Sequence, residues 1–387
     1  MGNESAAMLE GVRVLELGSV VSAPLVGMML ADLGADVIKV ERPEGDPVRQ
    51  WKGAVYSPHF LAYNRNKRSI VLDLTKDADR RTLDALMDTA AVLVDNYRPG
   101  TLDKYGLGDE QIRARFPSLI VCSITGWGRS GPYRDLPAYD GVSQAVSGLT
   151  SLFVDRQAPE GIGPTISDNV TGMYACNAVL AALVERARTG KGRRLEVNML
   201  ESSMAFTPDN FSLYLQTGVV ADRYTRPAAS CFMVLDCKDG KLLAIQLSNR
   251  DKFFQALCEA VGAPHLAGDA RFSTHKARAD QQSRLALLAD LRPRFLERSR
   301  DEWLAVFREH DVPAGPLHSI AEVIEDPQVK AMGSIYTLEH PTQGPMRGIN
   351  TPILVDGVRP PVRMLAPGLG EHSEEILREL KVSAPKN

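Results

Sequence analysis

"GVRVLELGSVVSAPLVGMMLADLGADVIKVE" (Gly11–Glu41) decides the fold. Val12–Gly18 is a short aliphatic and β-branched run, the composition of a strand buried on both faces. "APLVGMMLADLG" follows with apolar residues at helical spacing and stops at Gly34, a residue suited to a helix end. Ala35–Glu41 reads as strand again. Strand, helix and strand within about 30 residues make a βαβ unit and hence a parallel sheet. The alternation continues through strand Ser69–Leu74, helix "DADRRTLDALMDTA", strand Ala91–Tyr97, helix "GDEQIRARF" and strand Leu119–Gly128. The pattern is α/β: a doubly wound, Rossmann-like domain with a parallel sheet.

Farther along, "PTISDNVTGMYACNAVLAALVERARTGKG" (Pro164–Gly192) reads as a loop and a long apolar helix, and Arg194–Leu200 as a strand. The pattern then changes. Cys231–Ser248 reads as a β-hairpin turning at Asp239-Gly240, and helices follow it, which makes a smaller α+β domain. "PAGPLHSIAEVIEDPQV" looks like a Pro-rich connector, and the chain closes with a loop and a last helix. At 387 residues, 44% of them hydrophobic and 24% charged, the chain is an ordinary globular protein with room for two domains. A formal net charge of -3 argues against nucleic-acid binding through a basic surface. No uncharged apolar window of roughly 18 residues predicts a membrane span, and the N-terminal sequence does not read as a signal peptide. Five scattered cysteines without a CxxC pair, and seven histidines without HExxH, argue for a reducing, cytoplasmic setting and against a metal site.

Several residues are candidates for chemistry. The first βα turn, "ELGSVVSAP", has one glycine, Gly18, where a dinucleotide site needs GxGxxG, so Glu41 alone does not make a ribose site. Arg42 and Arg98 each follow a predicted strand, where α/β sheets bind ligands. Arg65, Lys67 and Arg68 stand just before another. Such charges read singly as solvated edges; together they point to a pocket for a ligand with several phosphates, with Asn96 as a polar contact in the same turn. Gly126–Leu149 is rich in Gly, Pro and Ser and follows a strand, the place of an active-site loop; Tyr139 and Asp140 lead from it into a helix. GxSxG is absent, which argues against a serine hydrolase of that kind. Asp168 stands where the long helix begins. Its spacing makes it an N-cap, and chemistry there is the alternative.

In order along the chain stand "GVRVLELGSVVSAPLVGMMLADLGADVIKVERPEGDPVR", "NKRSIVLDL", "VDNYRPGTLDKYGL", "SITGWGRSGPY", "YDGVSQAVSGL", "DNVTGMYACNAVLAALVERARTGKG" and "VPAGPLHSIAEVIEDPQV". This ordered set resembles the class III coenzyme A transferases, the CaiB–BaiF family, over nearly the whole chain. The resemblance implies a large α/β domain built from both chain ends, with its first part over 1–215, a small domain over 225–320, and a linker returning to the large domain over 321–387. It implies an interlocked homodimer. It makes Asp168 the nucleophile that exchanges CoA between an acyl-CoA donor and a small carboxylate acceptor. The steps pass through an aspartyl anhydride and an aspartyl-CoA thioester, with no metal and no tightly bound cofactor. The helix N-terminus would favour the ionised carboxylate. The resemblance assigns CoA contacts to Arg42, Asn96 and Arg98, with Lys104 and the Lys67-Arg68 pair beside them. Related racemases and epimerases carry histidine where this chain has Tyr139. Tyrosine titrates near ~10 and makes a poor base at neutral pH, which favours transfer over racemisation. Some formate–oxalate members carry glutamine near Val21 and a glycine-rich loop where this chain has "QLSNRDKFF"; these departures argue against formate or oxalate. A non-catalytic acyl-CoA-binding protein is the remaining alternative.

Overall fold

The computed structural model describes residues 7–53, 57–248 and 250–380. The chain divides into two compact units, one of residues 1–149, 163–208 and 330–387, the other of 150–162 and 209–329.

The first unit carries the sheet. Its strands are β1 (Arg13–Glu16), β2 (Asp36–Glu41), β3 (Lys67–Val71), β4 (Val92–Asp95), β5 (Ile120–Thr125) and β6 (Arg194–Asn198). They pair in the order β3-β2-β1-β4-β5-β6, all parallel. The strand order reverses between β1 and β4, so the crevice beyond their carboxyl ends is where a ligand belongs. The helices between the strands are α1 (Ser22–Asp32), α2 (Pro58–Asn64), α3 (Asp77–Thr89), α4 (Asp109–Arg115), α5 (Asp140–Val146) and α6 (Ser167–Thr189), with α7 (Met199–Phe206) after β6. Alternate residues of each strand feed opposite faces. Val14, Val37, Val92 and Ile120 pack under Val26 and Leu30 of α1 and Ala175 and Val179 of α6. Leu15, Ile38, Leu93 and Val121 pack under Leu83, Leu86 and Ile112 of α3 and α4. Ile376, on the C-terminal helix Ser373–Glu379, joins this second layer, so both ends of the chain build one core. Pattern reading did not foresee the antiparallel pair β10 (Ile335–His340) and β11 (Gly344–Ile349), in which half-buried residues alternate with exposed ones and none is fully buried.

Glu16, at the end of β1, is fully buried between two fully buried lysines. Its oxygens lie 2.9 Å from Lys39 Nζ and 2.7 Å from Lys67 Nζ. Gly27 of α1 makes this possible, since a Cβ there would stand 2.0 Å from Glu16 Oε2. Lys39 also pairs with Asp46 at 2.9 Å and donates to Gly18 O, while Lys67 donates to Pro24 O and Asn64 Oδ1. Burial disfavours both charges. Glu16 and Asp46 outweigh it at Lys39, which is pushed up, whereas Lys67 falls to about 8.

The second unit is α+β. Strands β7 (Phe232–Asp236) and β8 (Leu242–Gln246) form the expected hairpin, with Gly240 in the left-handed conformation at its turn, and β9 (Ala314–Pro316) adds a third antiparallel strand. The stretch read as a connector is thus ordered here: it supplies β9 and the helix Ile320–Glu325, which Ser319 opens with a capping box. Trp303 stacks on Phe295 and Phe307 and donates its indole N–H to Phe295 O, filling the core of this unit. Within "QLSNRDKFF", Asn249 lies outside the described residues. Among the described residues no helix is long and apolar enough to cross a membrane.

Glu16→Gln leaves two buried ammonium groups short of their shared anion. It is expected to lower the unfolding free energy by about 3–5 kcal/mol, read from the urea midpoint. A loss below about 1 kcal/mol would show that the two lysines do not depend on Glu16.

Candidate active site

The site is built at the reversal of strand order. The turn after β1, Gly18–Val21, carries Val20 at φ 70°, a left-handed conformation that a β-branched residue rarely adopts. Three charged side chains hold the turn in place. Lys39 takes Gly18 O, the Asp46 carboxylate accepts from Val20 N at 3.3 Å, and Lys67 takes Pro24 O. Asn96, just after β4, locks the same turn from the other side. Its Oδ1 accepts from Ser19 N at 3.0 Å, and its Nδ2 donates to Ser19 O at 2.8 Å and to Ser22 Oγ at 3.2 Å.

Asp168 is the second residue of α6 and does not cap it. The N-cap is Ile166, which makes no side-chain capping bond. The cap comes from another helix, because Asp140 Oδ1 accepts from Asp168 N at 3.1 Å. Asp140 is the first residue of its own helix, α5, whose N-cap is Tyr139. Gln144 orients Asp140, donating to its Oδ2 at 2.6 Å and to Pro164 O at 3.0 Å. One side chain of α5 therefore satisfies an open amide in the first turn of α6. The first turn of α6 also lies hard against the start of α1. A Cβ at Gly172 would stand 2.9 Å from Ser22 O and from Leu25 Cδ2. Asp168 there is half-buried.

Burial raises Asp168 to about 6, the nearby Asp140 charge adds to the rise, and the Ser22 hydrogen bond opposes it. The helix N-terminus, expected to favour the ionised form, is outweighed. Such a carboxylate is still ionised at neutral pH, yet it is more basic than an ordinary aspartate and so a better nucleophile.

The other predicted residues fall into two groups. Arg42, Arg98 and Lys104 are exposed on segments that follow β2 and β4, with Asn96 between them. Arg42 lines a cleft of about 330 Å³ together with Leu72, Leu74, Tyr97 and Tyr105. A pocket of about 90 Å³ shares Arg42 and Tyr97 with this cleft and extends to Gly18 and Ser19. Arg98 borders a small polar cavity beside Asp95 and Ser123. Lys67 and Arg68 are not brought to this edge. They lie at the amino end of β3, within the strand and not before it. Lys67 is enclosed by Glu16, Pro24 and Asn64, as described above. Arg68 pairs with Asp36, Glu375 and Glu379 and so fastens the C-terminal helix. Both reach protein partners instead of a ligand, which corrects their reading as CoA contacts. Tyr139 is 75% exposed beside Asp140. Sequence reasoning missed Ser22, Asp140 as a cap in trans, and Gly172. Only the glycine leaves a signal, standing one helical turn after Asp168 where close backbone approach needs it.

CoA-transferase family III matches residues 9–373. The chain belongs to CoA-transferase family III. It is therefore an enzyme of the transferase class. It is 35% identical to the succinate–glutarate CoA-transferase of Agrobacterium fabrum across 96% of each protein. It is 34% identical to the succinyl-CoA–D-citramalate CoA-transferase of Chloroflexus aurantiacus, covering 96% of this chain and 94% of that one. The crystal structure of a CaiB/BaiF family protein from Brucella suis superposes with a TM-score of 0.85 at 37% identity, covering 96% of this chain and 99% of that one.

Asp168→Asn is expected to raise stability at neutral pH by on the order of 1 kcal/mol. A carboxyl whose folded pKa is raised weakens the fold once it ionises. The gain should therefore shrink as pH falls from about 6 towards the ordinary value of 3.8, below which folded and unfolded states are both protonated. Thermal midpoints of both proteins across this range check it; a gain independent of pH contradicts the raised value.

Proposed function

We propose that this enzyme moves CoA from an acyl-CoA donor to a small mono- or dicarboxylate such as succinate or its relatives, with Asp168 as the covalent carrier. The observation that carries the reading is a half-buried carboxylate of raised basicity in the first turn of α6, in a chain that belongs to CoA-transferase family III. The Asp168 carboxylate attacks the donor thioester, giving an aspartyl anhydride and CoA thiolate. The thiolate attacks the aspartyl carbonyl, giving aspartyl-CoA and releasing the donor acid. The acceptor carboxylate then forms a second anhydride, and the thiolate takes the acceptor acyl group and frees Asp168.

Arg42, Arg98 and Lys104 supply cations for the phosphates of CoA, and the cleft flanked by Tyr97 and Tyr105 offers flat surfaces for its adenine. Asn96 serves this site from inside, by shaping the turn. No tightly bound cofactor enters the scheme. Tyr139 lies in place of a racemase histidine and favours transfer. The substrates named for the relatives above, succinate, glutarate and D-citramalate, support small dicarboxylates. We further read the enzyme as a cytoplasmic, interlocked homodimer. Five free, buried cysteines suit a reducing compartment, and the exposed Met173, Tyr174 and Val184 along α6 suit a second copy.

Asp168→Ala is expected to abolish transfer from succinyl-CoA to glutarate while CoA binding holds within about threefold. Hydroxylamine should trap an acyl group on Asp168 of the unmodified enzyme. Washout of the α-proton of an acyl-CoA in D₂O without acceptor acid would favour a racemase and overturn the reading. Arg42→Ala should raise the KM for the CoA thioester roughly tenfold with kcat little changed, as expected for a phosphate contact worth about 1.4 kcal/mol.

A further inference from the structure

We propose that Arg284 is the centre of a carboxylate-binding site in the second unit, and that the site takes a small free dicarboxylate. The choice of acid rests on the substrate reading above; the anion site rests on the geometry around Arg284.

Every other buried lysine and arginine among the described residues meets a carboxylate. Lys39 and Lys67 share Glu16, Arg65 pairs with Asp32, Arg68 with Asp36, Arg278 with Asp251 and Arg300 with Glu322. Arg284 is 6% exposed, and its guanidinium makes no hydrogen bond and no ion pair among the described residues. Its Nε is shut off from water without a partner. A guanidinium cannot shed its charge as a buried lysine can, so neutralisation does not relieve it. Such a group is costly to bury until an anion completes it.

The surroundings add cations and offer no free acid. Arg284 is the fourth residue of the helix Gln281–Phe295, near an end where the backbone itself favours an anion. Its guanidinium carbon lies 5.2 Å from the centroid of the Tyr224 ring, and that of Arg223 lies 4.6 Å from the same centroid. One ring offsets only part of two such charges. The nearby carboxylates are committed elsewhere. Asp155 pairs with Arg223 at 3.0 Å. Asp222 accepts from Tyr224 N, Thr225 N and Thr225 Oγ1. Asp280 caps the helix by accepting from Ser283 N at 3.0 Å, and Asp251 holds Arg278. The planar fork of Arg284 matches the two oxygens of a carboxylate. The Tyr224 ring beside it gives the methylenes of a short diacid an apolar wall. The small exposure of Arg284 suits a short acid and not a nucleotide.

The test titrates glutarate by calorimetry into the full chain carrying Asp168→Ala, with and without Arg284→Met. Asp168→Ala keeps turnover out of the measurement. Arg284→Met is expected to weaken glutarate binding roughly tenfold or more. Arg284→Lys keeps the charge without the fork and should fall between the two. Without acid, Arg284→Met should melt at or above its parent, since it removes a buried charge that has no partner. Saturating glutarate should raise the melting temperature of the parent, and Arg284→Met should lose most of that rise. Parent-like glutarate affinity in both variants overturns the proposal. If Arg284→Met also forms a smaller assembly in sedimentation while its glutarate affinity holds, the carboxylate belongs to a second copy of the chain, and the proposal is overturned in that way. The substrate reading fails separately, when wild type moves no CoA from succinyl-CoA to glutarate. Transfer to glutarate together with binding indifferent to Arg284 sinks the site alone.

Discussion

Glu16 shared between Lys39 and Lys67 is the interaction on which the rest depends. Two cations and an acid buried at the end of the first strand tolerate removal from water only together. Besides the bond from Lys67 to Asn64, the pair reaches the first βα turn and the start of α1: Lys39 to Gly18, Lys67 to Pro24, and Lys39 through Asp46 to Val20. A stretch that would otherwise relax from the strained conformation at Val20 is thus held at three points. The turn carries Ser19 and leads into Ser22, the first residue of α1, against whose backbone α6 is seated at Gly172.

Asp168 is tuned by what surrounds it. A carboxylate at a helix start normally becomes more acidic. Asp168 goes the other way, because it is half-buried and another aspartate lies beside it. That second aspartate is retained for a structural reason: it caps α6 from α5, with Gln144 steering it. One arrangement therefore fixes the helix, fixes the aspartate upon it and raises its basicity. The covalent role proposed for Asp168 calls for such a carboxylate, since a more basic one attacks a thioester more readily.

Much of this was legible beforehand. The βαβ run from Gly11 to Glu41, the lone Gly18 in place of a dinucleotide fingerprint, and the hairpin turning at Gly240 all carry local signals of period or turn chemistry. Arg42, Asn96 and Arg98 were readable as a group because strand ends in a parallel sheet converge on one edge. Lys67 and Arg68 were misread for a related reason. A basic pair beside a strand looks the same whether it faces a ligand or a carboxylate, and Glu16, Glu375 and Glu379 are remote in sequence. The cap of α6 was misassigned because the side chain that accepts from its first turn, that of Asp140, belongs to another helix.

By itself the sequence determined the parallel sheet, the family and the aspartate at the start of the long helix, because these depend on short-range periodicity and ordered motifs. Only the tertiary structure decided which charges are buried and which amides are capped and by whom. Each of these is a pairing across tens or hundreds of residues, set by strand order and by the close seating of α6 on α1 at Gly172. No local rule encodes such a distance.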